Sequence, residues 1–204
     1  RTFYKKRGYL MASVGTPQID FLSHRHEVNI TIPIVASTKV DLFFHGSTPR
    51  TGVKSLDRFV QINEETRDTP EALEASARAI ETFYNGKGYP FVKVHAEEKP
   101  LPEENRKEVH FTIQNMTRTR IQKIAFLGNN AFYNERLKKL VQIKEDGVFT
   151  ATLFTKEKLQ DDAENITLFY KREGFQSVRV TSDMAFDENK KWALLTFQIE
   201  EGVQ

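Results

Sequence analysis

The 204-residue sequence contains 39% hydrophobic and 28% charged residues, a composition typical of globular rather than disordered or low-complexity chains. Thirty basic and 28 acidic residues are interspersed and leave a formal net charge of +2, which is weak support for a nucleic-acid partner. The absence of cysteine excludes disulfides and thiolate metal sites. Uninterrupted apolar runs are far shorter than the ~20 residues that a membrane-spanning helix needs.

The first predicted element is a helix end at residues 2–9, with the sequence Thr-Phe-Tyr-Lys-Lys-Arg-Gly-Tyr. Residues 82–89 and 168–175 repeat its aromatic pair, its glycine and the aromatic that follows. We expect each glycine to end a helix in the left-handed conformation, which costs other residues about 1–2 kcal/mol. These glycines lie 80 and 86 residues apart, at Gly8, Gly88 and Gly174. An internal repeat therefore organises the chain.

Strands are predicted where apolar residues alternate along the chain. After the first helix end, such a pattern falls on Val28, Ile30 and Ile32. A new unit then begins with the alternating run 40–46, and residues 122–128 repeat that run 82 residues later. Both runs end in a glycine that we interpret as structural, Gly46 in one unit and Gly128 in the other.

Two helices are predicted after each of these strands. Residues 55–62 and 137–143 share the sequence Val-Gln-Ile and predict the first helix of each unit. The second helix shows an apolar face with i, i+4, i+7 spacing, and its residues correspond at an offset of 86. These residues are Leu73, Ala77 and Ile80 in one unit, and Leu159, Ala163 and Ile166 in the other.

Two further strands close each unit. The first follows the helix-end glycine, at residues 91–96 and 176–181, and the second follows a polar turn. The apolar residues that alternate in the second are Val109, Phe111 and Ile113, then Leu195, Phe197 and Ile199. The predicted order is β-α-α-β-β, and the fold class is α+β. Residues 38–115 and 119–201 form complete units, and residues 1–35 form the C-terminal part of another.

A loop between the two helices of the last unit is longer than its counterpart by five residues, which fall within 144–155. Three of its side chains, Phe149, Leu153 and Phe154, are apolar, which is unusual for a loop. We expect these side chains either to pack locally or to contact a partner.

Motifs for catalysis or metal binding are absent from the sequence. His24 and His26 could offer two imidazoles, but no third ligand is near them, and a solvated turn is the favoured interpretation. The acidic pairs 64–65, 97–98, 103–104 and 161–162 are interpreted as solvated surface. No phosphate-binding glycine loop, nucleophile elbow or zinc-protease motif occurs. The sequence predicts no enzyme activity, metal or cofactor.

The order of elements and the repeated motifs resemble POTRA (polypeptide-transport-associated) domains. The resemblance rests on the helix end with its glycine, the strand-to-helix turn at 126–132 and the closing segment 197–202. Residues 46–50 depart from it, because Gly-Ser-Thr-Pro-Arg stands where the last unit has Gly-Asn-Asn-Ala-Phe. Tandem units of this kind resemble the periplasmic arm of the outer-membrane assembly factor family of BamA and TamA.

The resemblance implies a three-stranded mixed sheet covered by two helices in each unit. It also implies a periplasmic location, with attachment to the outer membrane through a C-terminal β-barrel on the same chain. The implied partners are unfolded outer-membrane proteins and accessory assembly lipoproteins, with no nucleic acid. Two alternatives stay open: a nucleic-acid-binding α/β module that uses aromatic stacking, and rigid spacer domains of a two-partner secretion or other protein translocation pore.

In this family the second strand of each unit is an edge, where an extended peptide can join by β-augmentation. The corresponding residues here are Phe91, Val92, Lys93, Val94 and His95 in one unit, and Ser177, Val178, Arg179, Val180 and Thr181 in the other. An ordinary edge, protected from aggregation by Lys93 or Arg179, is an equally weighted interpretation.

Overall fold

The computed structural model describes residues 2–22, 27–46, 56–147 and 155–204. The chain divides into two compact units. The first comprises Arg1–Glu81 and Lys93–Gln114, and the second comprises Thr82–Val92 and Asn115–Gln204. The boundaries expected from the repeat, 1–35, 38–115 and 119–201, follow the sequence pattern and stay a prediction.

Strands outnumber helices in the described part of the first unit. In chain order it contains helix α1 (Thr2–Lys5) and strands β1 (Ser13–Val14), β2 (Gln18–Leu22), β3 (Glu27–Thr31), β4 (Ile34–Val35) and β5 (Lys39–His45). Helix α2 (Pro70–Asn85) follows a 3₁₀ turn at Asp57–Phe59, and its last four residues belong to the second unit. Strand β6 (Lys93–Leu101), a 3₁₀ turn at Pro102–Glu104 and strand β7 (Arg106–Gln114) complete the first unit.

The second unit adds two helices and three strands to the end of α2. They are β8 (Arg120–Leu127), α3 (Asn134–Lys138), α4 (Lys156–Arg172), β9 (Arg179–Phe186) and β10 (Trp192–Glu200). Each unit has a three-stranded sheet, which we name sheet I (order β5-β7-β6) and sheet II (order β8-β10-β9). In sheet I the central strand β7 is parallel to β5 and antiparallel to β6. In sheet II the central strand β10 is parallel to β8 and antiparallel to β9. These mixed sheets confirm the predicted α+β class.

One face of each sheet carries the hydrophobic core. Along β10, Ala193, Leu195, Phe197 and Ile199 are buried and alternate with more exposed residues, as the period of a strand requires. Phe126 of β8 stacks on Phe197, with ring centroids 5.5 Å apart. The corresponding pair in sheet I is Phe44 and Phe111, with centroids 5.2 Å apart. The predicted inward faces of these strands are therefore confirmed.

Helix α4 covers the core face of sheet II. Ile166 and Tyr170 are fully buried, and Leu159, Ala163 and Phe169 pack against the same core while partly exposed. The ring of Phe169 meets that of Phe132 edge to face, with centroids 4.8 Å apart. The apolar face predicted from the i, i+4, i+7 spacing is thus the face that α4 buries.

The three helix ends share one hydrogen-bonding pattern. Gly88 and Gly174 have φ of 87° and 103°, and Gly8 has φ of 90°. In each copy the N–H of the residue after the glycine donates to the carbonyl five residues earlier: Tyr9 to Tyr4 (3.1 Å), Tyr89 to Tyr84 (3.1 Å) and Phe175 to Tyr170 (3.0 Å). This bond defines the Schellman motif, which a left-handed glycine makes possible. The predicted helix-end role of the three glycines is confirmed.

Gly46 and Gly128 lie directly after β5 and β8, with φ of 77° and 79°. A Cβ at Gly128 would lie well inside 3.0 Å of the Ile199 carbonyl oxygen, and one at Gly46 would meet Ile113 in the same way. Both positions therefore exclude any larger side chain, because the backbone of the central strand passes too close.

The predicted first helices are wrong in extent. Helix α3 ends at Lys138, so most of 137–143 is not helical. In the first unit Ser55 lies outside the described residues, and the 3₁₀ turn ends at Phe59 with Val60 extended. The cause in the second unit is Asp162 of α4, whose carboxylate accepts the N–H groups of Gln142 (2.6 Å) and Ile143 (2.9 Å). Those donors cannot also serve a continuing helix.

Asp162 also corrects the interpretation of the pair 161–162 as solvated surface, because its side chain is fully buried. The first unit has a related arrangement, in which the buried Ser76 hydroxyl accepts the N–H of Gln61 at 2.8 Å. Ser76 lies 86 residues before Asp162, and Gln61 lies 81 residues before Gln142. In both units, a buried polar side chain on the long helix holds the Val-Gln-Ile segment.

Strands β2 and β3 form a separate two-stranded antiparallel sheet. Pairing of Ile19 with Ile30 and of Phe21 with Val28 places four apolar side chains on one face. All four are exposed, with Phe21 76% accessible. The strand predicted at 28–32 is present, but its apolar residues are not core residues. Within 2–22 and 27–35 the structure contains one turn of helix, too little to cover this face.

Candidate functional site

Among the strands that the structure describes, β6 and β9 each lie at an edge of their sheet, with a neighbouring strand on one side only. In an antiparallel pair, successive residues point their N–H groups alternately toward and away from the partner. The N–H of Asp187, the residue that follows β9, donates to the carbonyl oxygen of Trp192 in β10 at 3.1 Å. This N–H therefore points toward β10. By alternation, the open side of β9 presents the N–H groups of Val180, Ser182, Met184 and Phe186.

Six of the ten predicted edge residues lie in these strands, and four do not. Phe91 and Val92 precede β6, and Ser177 and Val178 precede β9. The reason is a turn after each helix end, in which Val92 N–H donates to Tyr89 and Val178 N–H to Phe175, both at 3.3 Å. The residues placed on the edges are Lys93, Val94, His95, Arg179, Val180 and Thr181. Both strands continue beyond the predicted segments, to Leu101 and Phe186.

The open side of β6 offers no free N–H group near either end of the strand. At the start, the N–H of Val94 donates to the Oε1 of Glu81 on α2 at 2.9 Å. Near the other end lies Pro100, which has no N–H. By the alternation along the strand, Pro100 faces the same open side of β6 as Val94. Only Ala96 and Glu98 lie between them on this side. Within the described part of the chain, neither of those N–H groups has a side-chain acceptor.

A groove of about 670 Å³ runs between the edge of β6 and helix α2. The strand contributes Val94, His95, Ala96 and Glu98, and the preceding turn contributes Asp68. The helix contributes Pro70, Leu73, Glu74, Ala77, Arg78 and Glu81. The groove thus has an apolar floor, polar backbone groups on one wall and charged side chains at its rim.

Most charges at this groove are already paired. Lys107 of β7 contacts both Asp68 and Glu98, with 3.2 Å between its Nζ and the Glu98 Oε1. Burial lowers the pKa of Lys107 and raises the pKa of Glu98, because removal from water disfavours each charged form. Glu74 pairs with Arg78 one helical turn later, at 3.2 Å. The arrangement holds a polar backbone edge beside an apolar strip.

Strand β9 lacks the two features that close β6. The residue 86 positions after Glu81 is Thr167, whose hydroxyl donates to the Ala163 carbonyl of its own helix at 2.9 Å. The residue 86 positions after Pro100 is Phe186, which keeps its N–H. The open edge of β9 is therefore the longer of the two.

Glu81, Pro100 and Lys107 were not predicted as site residues. One signal was available for Glu81: it follows Leu73 and Ala77 at four-residue spacing, so an acid continues an apolar helix face. No sequence pattern indicates that its carboxylate reaches a strand N–H, because that bond joins residues from two elements.

Several predicted residues lie outside the described residues: His24 and His26, and the loop side chains Phe149, Leu153 and Phe154. In the described ranges, no three side chains of the types that ligate metals come together. None of the described helices is both long and apolar enough to cross a bilayer.

The fold and its repeated open edges define the chain as a tandem α+β repeat protein. Residues 41–115 and 119–202 match POTRA, the surface antigen variable number repeat. The chain belongs to this family.

Relatives and solved structures extend this comparison. The outer membrane protein assembly factor BamA of Buchnera aphidicola is 22% identical over 204 residues, which cover 98% of this chain and 31% of that protein. BamA of Neisseria meningitidis is 24% identical over 135 residues, covering 64% of this chain and 17% of that protein. The chain thus spans less than a third of the length of these relatives.

The fold is also found in the crystal structure of BamA from Haemophilus ducreyi lacking POTRA domains 1–3. The match has a TM-score of 0.53 and 15% sequence identity, and it covers 80% of this chain and 28% of that chain. At this identity the likeness is one of fold.

Proposed function

We propose that this chain is a peptide-binding scaffold of an outer-membrane protein assembly factor, located in the periplasm and without catalytic activity. Its clients would be extended segments of unfolded outer-membrane proteins, which pair with the open edges of β6 and β9. The observation that carries the proposal is the open side of β9, where four N–H groups at alternate positions face none of the described strands. Such an edge is what β-augmentation requires.

The BamA relatives support the client class, because they are named outer membrane protein assembly factors. Membrane barrel strands alternate apolar and polar residues and are extended in the folded barrel. An unfolded segment of that kind can satisfy its backbone groups on an open edge before it reaches its own partners. Accessory assembly lipoproteins are proposed as further partners of this scaffold.

The expected affinity of one edge is low. Four or five backbone hydrogen bonds contribute roughly 2–7 kcal/mol in total, against association costs of about 4–15 kcal/mol. Binding at two edges of one chain would raise the overall affinity through effective concentration. Weak sites with little side-chain discrimination suit a scaffold that must release its client.

The test is a titration of the ¹⁵N-labelled chain with a peptide from an outer-membrane barrel strand. We expect the largest amide shifts at Val180, Ser182, Met184 and Phe186, because their N–H groups gain acceptors. The matched control is the same peptide with alternate backbone amides N-methylated, which keeps the side chains and removes donors. Shifts confined to the helices, or equal binding of the methylated peptide, would contradict the proposal.

A further inference from the structure

Glu81 occupies the place on β6 that a paired strand would fill. Its Oε1 accepts the Val94 N–H at 2.9 Å, on the side of β6 that faces away from β7. A backbone carbonyl of an incoming strand would bind the same N–H at about the same distance. A segment that pairs along the whole edge must therefore displace the Glu81 carboxylate from Val94.

Within the described part of the chain, displacement leaves the Glu81 carboxylate with one weak cation partner. The nearest is Lys93, whose Nζ lies 3.9 Å from Glu81 Oε2, at the outer limit of an ion pair, and whose side chain is 70% exposed. The other basic groups beside the groove are engaged, because Lys107 bridges Asp68 and Glu98, and Arg78 pairs with Glu74. Glu81 itself is only 22% exposed, so water compensates it incompletely.

We propose that Glu81 is a specificity-determining residue, which makes the edge of β6 selective for extended segments that carry a lysine or arginine. This inference rests on the proposed function. The basic side chain of such a segment pairs with the Glu81 carboxylate as the segment's carbonyl takes the Val94 N–H. A neutral segment breaks the Glu81–Val94 bond without supplying a new partner to the acid.

Strand β9 provides an internal comparison. Thr167 stands at the position that corresponds to Glu81 and hydrogen-bonds within its own helix. At this position of the described chain, a strand that pairs with β9 therefore meets a hydroxyl bonded within its own helix and no carboxylate. Selectivity for a basic side chain is expected at β6 and not at β9.

The experiment uses the 204-residue chain and two six-residue peptides of alternating valine and threonine, identical except for a central lysine or glutamine. Binding is followed separately at each edge, through the ¹⁵N amides of Val94 and Ser182. We expect the lysine peptide to bind β6 about fivefold more tightly than the glutamine peptide, since a partly exposed ion pair contributes up to about 1 kcal/mol. The ratio at β9 should be close to one.

The variant that tests Glu81 is Glu81→Gln, which keeps an oxygen acceptor for Val94 and removes the charge. Its β6 ratio should fall to about one. Glu74→Gln is the matched control, because Glu74 is an acid of the same groove that pairs with Arg78 on its own helix. That variant should keep the fivefold ratio.

The outcomes separate this inference from the proposed function. Binding of both peptides at β9 with none at β6, or a lysine preference that persists in Glu81→Gln, would overturn the role of Glu81 and leave the proposed function standing. Failure of both peptides at both edges would overturn the proposed function as well.

Discussion

Asp162 is a fully buried carboxylate that accepts two backbone N–H groups, those of Gln142 and Ile143. It fixes the segment that leads away from α3 against helix α4. Ser76 makes one such bond in the first unit, to Gln61. In both units a buried side chain of the long helix accepts backbone N–H groups of the Val-Gln-Ile segment, but the two side chains differ in charge. A comparison of apolar patterns does not show this difference.

Replacement of Asp162 by alanine should leave both N–H groups without an acceptor. An unsatisfied buried donor costs about 1–3 kcal/mol, so the loss of an acceptor for two donors in Asp162→Ala is expected to lower the free energy of unfolding by about 2–6 kcal/mol. Asp161→Ala is the control, because Asp161 is exposed on the same helix and should change stability by less than about 0.5 kcal/mol. Urea unfolding of both variants measures the difference, and equal losses would refute the role of Asp162.

Asp162 also predicts a dependence of stability on pH. Burial raises the pKa of its carboxyl above the ordinary value of 3.8, although the N–H groups of Gln142 and Ile143 and the charge of Lys144 oppose the shift. Between the ordinary and the raised pKa, the folded state binds more protons than the unfolded state. The contribution of this group to stability is therefore complete below the ordinary pKa and is lost as the pH rises through the raised value.

The measurement is urea unfolding of the natural chain and of Asp162→Asn, which cannot titrate, from about pH 4 upward. Stability of the natural chain relative to the variant should fall with rising pH and then level off. A relative stability that increases over this range would show that the pKa of Asp162 is lowered.

Gly88 should not tolerate a side chain, in contrast to its near neighbour Gly86. Gly88 has φ of 87°, whereas a Cβ at Gly86 would make ordinary contacts of 3.5 and 3.6 Å with the carbonyl oxygens of Phe83 and Thr82. We expect Gly88→Ala to reduce the free energy of unfolding by about 1–2 kcal/mol. Gly86→Ala should be neutral or slightly stabilising. Thermal unfolding distinguishes them, and equal effects would count against the Schellman motif.

Among the elements, the edge strands carry the proposed binding. Their approximate place could be predicted from the sequence, since alternation after the helix-end glycine marks a strand. Their starts could not, because Val92 and Val178 satisfy their N–H groups in a turn with residues three positions earlier. The end of α3 at Lys138 could not be predicted from the sequence either, since it depends on a carboxylate from another helix.

A proline on β9 tests which N–H groups face the open side. Ser182→Pro should leave the sheet intact, because the N–H of Ser182 points away from β10, and should abolish peptide pairing at that edge. Asp183→Pro should instead remove a bond to β10 and destabilise the unit, since Asp183 is paired with Thr196 in the ladder. Circular dichroism and peptide titration of the two variants separate the effects. Equal destabilisation by both prolines would contradict the assigned directions of the β9 N–H groups.

For the whole molecule, the repeat was the most informative feature of the sequence. Three glycines with the same neighbours established the order of elements, and the stacked pairs Phe44–Phe111 and Phe126–Phe197 show that the core repeats as well. The repeat did not predict where the units differ. Glu81 against Thr167, and Pro100 against Phe186, are differences between corresponding positions whose effect depends on which way a strand N–H points.

These differences give the two edges separate expected roles. The edge of β9 presents four N–H groups and would accept a segment through its backbone alone. The edge of β6 presents two N–H groups, those of Ala96 and Glu98, between Val94 and Pro100. It would be used by segments that also supply a cation to Glu81. A client would then be held by one permissive and one selective site on a single chain.

The central claim, that a client strand adds to the edge of β9, is tested most directly by disulfide cross-linking. The chain has no cysteine, so Thr181→Cys on β9 and Gln198→Cys on β10 each introduce a single thiol at an exposed position. A strand added at the edge would lie about 4.8 Å from β9 and about 10 Å from β10, and a disulfide spans Cα atoms only about 4.4–6.8 Å apart. We predict that a barrel-strand peptide with one cysteine cross-links to Thr181→Cys and not to Gln198→Cys. Equal cross-linking of the two variants, or preferential cross-linking to a cysteine at the exposed Glu164 of α4, would contradict pairing at this edge.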